Sequence, residues 1–222
     1  MKKSTIITSV IVCLAAATIA GLHAFGGDSA QASSPQQQPA SQSATDTIAQ
    51  ASSQLLEIYD VEGSQAKARL TIDGKEIFVT DVFIGQNGIG KQREGDRKTP
   101  AGTLHVGQAF GICPNPGAKL NYIDVTPSTF ACGDRDYYNQ IIDTAVVHHQ
   151  CHGEDMHTYV PEYNYGMTTS YNSECVYKKG SAIFIHCKGN KPYTAGCIAF
   201  DQDRMIQLLR LCDQSLIVHV GE

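Results

Sequence analysis

His186 and Cys197, a histidine and a cysteine with ten residues between them, carry the strongest chemical signal in the sequence. Thr194-Ala195-Gly196 stands directly before the cysteine, and the histidine lies near the end of an apolar run, Ser181-Ala182-Ile183-Phe184-Ile185-His186-Cys187. That run reads as a buried strand, and the loop after it, rich in Gly, Asn and Pro, reverses the chain and brings imidazole and thiol to one rim. A free thiol is mostly protonated at neutral pH, and a neighbouring imidazole activates it by stabilising the thiolate as an ion pair. Cys197 is the candidate nucleophile and His186 the general base, then acid. Without a Cβ, Gly196 lets the backbone turn tightly and lets a substrate carbonyl approach, so the N–H groups of Gly196 and Cys197 could form an oxyanion hole. Thr194 either positions this loop, donates a hydrogen bond to substrate, or serves a plain turn.

Three other constellations invite chemistry. The run His148-His149-Gln150-Cys151-His152-Gly153-Glu154-Asp155-Met156-His157 offers imidazole, thiolate and carboxylate groups. Its spacing matches no ligand template for Zn²⁺ or Cu²⁺, and a disulfide would claim Cys151, so it reads as a cleft or surface loop and no metal ion is expected. Gly85-Gln86-Asn87-Gly88-Ile89-Gly90-Lys91 imitates a phosphate-binding loop. Gln92 stands where Mg²⁺ needs a Ser or Thr, and residues 96–100 form a turn where a helix should begin, so nucleotide binding is rejected and no cofactor is expected. Arg93, Asp96 and Arg97 are charged residues in a Gly-rich turn, either solvated or in contact with a substrate carboxylate.

The elements that must position these residues are mainly strands: residues 55–61, 68–72 and 76–84, with Asp73-Gly74 as a tight hairpin turn between the last two. Another strand begins at 104–106, and 216–220 closes the chain. Residues 107–165 read as irregular, carrying four prolines and Cys113, Cys132 and Cys151; loops this long are functional or cross-linked. Asp201 is a suitable N-cap, and Met205, Leu208, Leu209 and Cys212 share one face of a short amphipathic helix. The fold class is mainly β with one short C-terminal helix and a disulfide-rich loop region.

The chain opens on Met1-Lys2-Lys3, an apolar stretch and then small residues, the order of a secretory signal. Residues 1–32 are the expected signal, cut after Ala20, Ala24 or Ala32, or else an uncleaved membrane anchor. Residues 33–54, poor in bulky apolar groups, read as a flexible tether, and 55–222 as one domain. Of eight cysteines, Cys13 falls in the leader, leaving Cys113, Cys132, Cys151, Cys175, Cys187, Cys197 and Cys212. In an oxidising compartment that odd set implies three disulfides of unknown pairing and one free thiol, Cys197. The formal net charge is −5, and without residues 1–32 it is one unit more negative. A mildly acidic chain without a basic block offers no electrostatic footprint for nucleic acid.

Residues 181–186 followed by Thr194-Ala195-Gly196-Cys197-Ile198-Ala199 resemble the active-site segment of L,D-transpeptidase (YkuD-type) catalytic domains, a strand histidine and then Ser/Thr-x-Gly-Cys. The stretch from Gly85 to Thr103, containing Arg93-Glu94-Gly95-Asp96-Arg97-Lys98-Thr99-Pro100, is similar to the family's strand-and-turn entry into the domain. Tyr171-Asn172 resembles a cleft-lining position. The chain departs from the pattern in a shorter histidine-to-cysteine loop and in Ala199 and Phe200, where many members carry a polar or basic residue. The resemblance implies a β-sandwich of mostly antiparallel strands, an exported enzyme of the cell envelope, and peptidoglycan stem peptides as partners. It implies attack by the cysteine on the L-centre carbonyl of a tetrapeptide stem, loss of the terminal D-alanine, and transfer of the acyl group to an amine; a backbone carbonyl orients the imidazole, and carbapenems acylate such domains. Water in place of the amine would make an L,D-carboxypeptidase, and an oxidised or unreactive Cys197 a catalytically inactive binding module. The oligomeric state is not read from the sequence.

Overall fold

A computed structural model describes residues 53–221 of the chain. The expected signal or anchor at 1–32, and the tether before residue 53, lie outside the described residues. Strand β1 (Gln54–Glu62), β2 (Gln65–Ile72) and β3 (Lys75–Phe83) form a meander whose inward positions, Leu56, Ile58, Ala66, Ala68, Leu70 and Val82, are buried. Alternation of buried and solvent-facing side chains fixes their register, because a slip of one residue would turn every apolar side chain outward. Asp73 and Gly74 both take positive φ, 51° and 74°, the turn that matches the twist of a two-residue hairpin.

After a long loop come β4 (Gly102–Gly111), β5 (Tyr122–Asp124), β6 (Thr129–Cys132), β7 (Gln140–Asp143), a four-residue helix α1 (Thr144–Val147) and β8 (Gly153–Asp155). Then follow β9 (Gly166–Thr169), β10 (Phe184–Cys187), β11 (Ile198–Phe200), helix α2 (Gln202–Leu211) and β12 (Leu216–Val220). Nine strands make one sheet in the order β12-β1-β2-β3-β11-β10-β9-β4-β5, and β12 also pairs with β4, so the sheet curls round and closes on itself. Most ladders are antiparallel; β1–β12, β10–β11 and β4–β5 are parallel. The enclosed core draws from both halves of the sheet and is covered by Met205, Leu208, Leu209 and Cys212 at α2. Each fully buried Leu or Ile there contributes about 1.5–3 kcal/mol relative to exposure. This is the mainly β, sandwich-like architecture expected, with α2 the single longer helix among the described residues.

Two readings need correction. Residues 107–165 are not irregular: β6 pairs with β7 and β8 in a separate three-stranded sheet. Strands of three or four residues are too short to show a period of two. The cysteines form one disulfide among the described residues, Cys132–Cys151, rather than three. Cys187 and Cys212 are instead enclosed in the apolar core, the Cys187 thiol donating to the Tyr165 carbonyl at 3.5 Å. Cys175 sits on a turn and its thiol points to the Ser173 carbonyl.

Candidate active site

The sheet brings His186 and Cys197 together. His186 lies on β10, between Gly166 of β9 and Ala199 of β11. Cys197 immediately precedes β11, where the parallel register sets it beside Phe184, and the Phe184 N–H donates to its Sγ at 3.4 Å. The thiol donates to the Ala182 carbonyl at 3.1 Å. The expected strand over 181–187 is shorter, because Ala182 adopts φ +52° and bends the chain where its carbonyl meets the thiol.

The turn before Cys197 is tied at several points. Thr194 N–H donates to Ile84 O at 2.8 Å, anchoring it to the end of β3. Thr194 Oγ1 accepts from Gly196 N–H at 3.0 Å and donates to Cys197 O at 2.7 Å. Buried Thr99 adds a 3.4 Å bond to the same carbonyl and accepts from Gly85 N–H at 2.9 Å. Thr194 thus positions the loop, and the Gly196 amide is engaged within it. Gly196 has φ +147°, and a Cβ there would lie 2.8 Å from Lys98 O and 2.9 Å from Ile183 Cδ1, so no other residue fits without movement.

Burial dominates the electrostatics of the pair. The Cys197 thiol is pushed up to about 12, first by burial and then by the charge of Glu154, against the Phe184 amide and the Lys91 charge, which lower it. Burial moves His186 the other way, below the ordinary imidazole value, against the Cys187 carbonyl and the Glu162 charge. Burial thus favours the neutral form of both groups and works against the thiolate–imidazolium pair. His186 Nδ1 lies 2.7 Å from Cys187 O. A carbonyl can only accept, so the proton is on Nδ1 and Nε2 is left as the base. This carbonyl, which sequence reasoning did not place, orients the imidazole.

His186 and Cys197 line one cavity of about 270 Å³, together with Arg97, Glu154, Glu162 and Tyr163. Arg97 reaches it while bonding Gln86 Oε1 at 2.6 Å. Arg93 is exposed and does not line it. Tyr171 and Asn172 also lie off the lining. The Tyr171 hydroxyl donates to Lys179 O at 2.8 Å, and the buried Asn172 carboxamide organises the turn through Val176 O, Gly180 O and Val176 N–H.

Three residues carry contacts that the sequence did not assign to them individually, although Glu154 belongs to the run read as a cleft or surface loop. Lys91, at the end of the false phosphate loop, is almost fully buried and pairs with Asp96 at 2.9 Å beneath the Gly196 turn. Asp96 also accepts from the amides of Gln92, Arg93 and Lys98. Burial alone would raise its carboxyl, yet these donors and the Lys91 ammonium hold it well below the carboxylate range. Tyr163 and Glu154 come from the middle of the chain, and no local pattern connects them to Cys197. Farther away, Asp134 accepts from His149 and pairs with His152. Cys132, His149 and Asp134 cluster closely enough to suggest a metal site, but the Cys132 sulfur is spent in the disulfide and offers no thiolate.

The described residues thus form a closed β-sheet domain in which a buried cysteine and an oriented histidine share one cavity. The chain belongs to the L,D-transpeptidase catalytic domain family (YkuD), whose sequence model matches residues 58–220. Its fold is similar to that of the helical cell shape determining protein Pgp2 from Campylobacter jejuni, at 20% identity and TM-score 0.42 over 77% of this chain and 47% of that one. It is also similar to an Enterococcus faecium L,D-transpeptidase mutant, at 15% identity and TM-score 0.41 over 76% and 50%, and to the Ldtfm–avibactam carbamoyl enzyme, at 16% identity and TM-score 0.42 over 77% and 49%. The chain spans about half the length of each of these structures. A search of curated proteins finds none that matches it.

Proposed function

We propose that this chain is an exported peptidoglycan L,D-transpeptidase that forms an acyl-enzyme on Cys197 and passes it to an amine. The observation that carries the reading is the meeting, in one cavity, of the Cys197 thiol and a His186 imidazole whose proton is fixed on Nδ1. Since burial favours a neutral thiol and a neutral imidazole, the thiol proton moves to His186 Nε2 as Sγ attacks the L-centre carbonyl of the stem. The Cys197 amide is the oxyanion donor of the expected pair that remains, since Gly196 N–H bonds Thr194; such a donor is worth about a hundredfold or more in rate. The intermediate collapses as the C–N bond breaks and His186 returns the proton to the departing D-alanine nitrogen, leaving a thioester. The acceptor amine then attacks, His186 takes its proton, the C–S bond breaks and the sulfur recovers the proton. Arg97 stands at the cavity edge as a contact for a stem carboxylate. No step requires a cofactor. The substrate places the enzyme in the cell envelope, in keeping with the signal-like N-terminus. The test is mass spectrometry of tetrapeptide muropeptides incubated with the purified domain. An amide-linked dimer with loss of D-alanine is expected; tripeptide alone would mark a carboxypeptidase, and unchanged substrate would refute the reading.

A further inference from the structure

We propose that Glu154 is the acceptor-selecting residue of this cavity, a carboxylate that receives the incoming amine as an ammonium ion and removes its first proton. The inference rests on the transpeptidase reading and extends it to a residue of the three-stranded sheet. Glu154 sits on β8 opposite Ala131 of β6, three residues after the Cys151 half of the disulfide, so the three-stranded sheet positions it. One carboxyl oxygen, Oε2, accepts from the Tyr163 hydroxyl. The buried Tyr163 ring packs edge-on against His186, with centroids 5.5 Å apart. Glu154 is near enough to Cys197 for its charge to act on the thiol, and both line the cavity. Its other oxygen, Oε1, accepts no hydrogen bond from the described residues, and the residue itself lines the cavity.

A purely structural bond to Tyr163 would be served as well by a glutamine. A carboxylate here is costly, because burial and the nearby Glu94 both favour its neutral form, and no Lys or Arg of the described residues pairs with it. A cation entering the cavity would compensate that charge. The transferring step supplies one: an alkyl amine in water is an ammonium, with an ordinary pKa of about 10.4, and cannot attack a thioester until it loses a proton. The ammonium N–H donates to Oε1 and its proton passes to Glu154. The neutral amine attacks the thioester, the second proton goes to His186 and then to the departing sulfur, and Glu154 releases its proton to solvent. Atoms and charge balance, and His186 is not asked to take two protons.

The test starts from preformed acyl-enzyme, so that differences in its formation drop out. Acyl-enzyme is offered methylamine, an ammonium at neutral pH, and methoxyamine, which is uncharged there, and mass spectrometry follows transfer to each. Glu154→Gln should lower the methylamine-to-methoxyamine rate ratio about tenfold or more, the worth of a charge-assisted hydrogen bond. A ratio within about twofold of wild type would overturn the proposal, as would equal loss for both acceptors. Glu154→Asp, which withdraws the charge by one methylene, should give an intermediate ratio, and it serves alone if the glutamine variant does not fold; an unchanged ratio there also overturns the proposal. Failure of the wild type to form any acyl-enzyme would instead count against the transpeptidase reading.

Discussion

The Lys91–Asp96 pair gives a stability prediction that separates its two members. Both side chains are nearly enclosed, 2% and 11% exposed, at 2.9 Å. Asp96→Ala leaves a buried ammonium with no counter-charge, a loss of about 3–5 kcal/mol, and strips three amides of their acceptor. Lys91→Met leaves Asp96 still held by those amides, so its cost is smaller, about 1.5–3 kcal/mol, the range for a charged hydrogen bond. With a urea slope of about 2 kcal/mol per M, Asp96→Ala should lower the unfolding midpoint by about 2 M and Lys91→Met by about 1 M. Since the Asp96 carboxyl is depressed in the fold, its contribution is present above the unfolded value, about 3.9, and is lost as pH falls through the lower folded value. The gap between wild type and Asp96→Ala should therefore be constant above about pH 5 and narrow in acid. Urea titration followed by circular dichroism at several pH values measures both. A Lys91→Met cost equal to or larger than that of Asp96→Ala, or a gap that widens in acid, would refute this account of the pair.

Burial lowers His186 and pushes Cys197 up to about 12, so carbapenem acylation should lose rate only below the ordinary imidazole value, about 6.5, and stay level between about pH 7 and 9. A preformed ion pair would instead lose rate as the imidazolium deprotonates, and stopped-flow rates across pH distinguish the two. Gly196→Ala forces a Cβ against Lys98 O and Ile183 Cδ1 and should cost about 1–3 kcal/mol, the range for overpacking, with loss of acylation; a thermal melt and a mass-shift assay read the two effects. Denatured, unreduced domain covering the described residues should titrate five thiols, Cys113, Cys175, Cys187, Cys197 and Cys212. In the native state Cys113 and Cys175 should react first; a single thiol after denaturation would restore the three-disulfide expectation.

What the sequence made legible follows from local pattern. Alternation in β1 to β3, the Asp73-Gly74 turn and the apolar face of α2 are each readable within a dozen residues, as is the strand histidine followed by a Gly-Cys turn. Properties set by burial were not readable. The shifts of His186 and Cys197 toward their neutral forms depend on how completely the sheet encloses them. Asp96 read as a charge of a Gly-rich turn, solvated or in contact with substrate, and Lys91 as the end of a false phosphate loop, whereas the fold seals the two together under Gly196. Asn172, which resembles a cleft position, is committed to its own turn by three hydrogen bonds. Glu154 and Tyr163 arrive from a segment whose short elements carry no period: the pairing of β6 with β8 places Glu154, and Tyr163, on a short turn after β8, is placed by its backbone bonds to Ile112 and Tyr159.

The central claim is that Cys197 carries the acyl group. The most direct measurement is acid-quenched mass spectrometry of the domain mixed with a tetrapeptide muropeptide, on intact protein and on its proteolytic peptides. The account predicts a transient adduct equal to the stem without its terminal D-alanine, confined to the peptide containing Cys197 and absent from Cys197→Ser, in which a hydroxyl beside His186 is far less acidic than a thiol. D-alanine release by Cys197→Ser at a rate near that of wild type, or an adduct on any other cysteine, would contradict it.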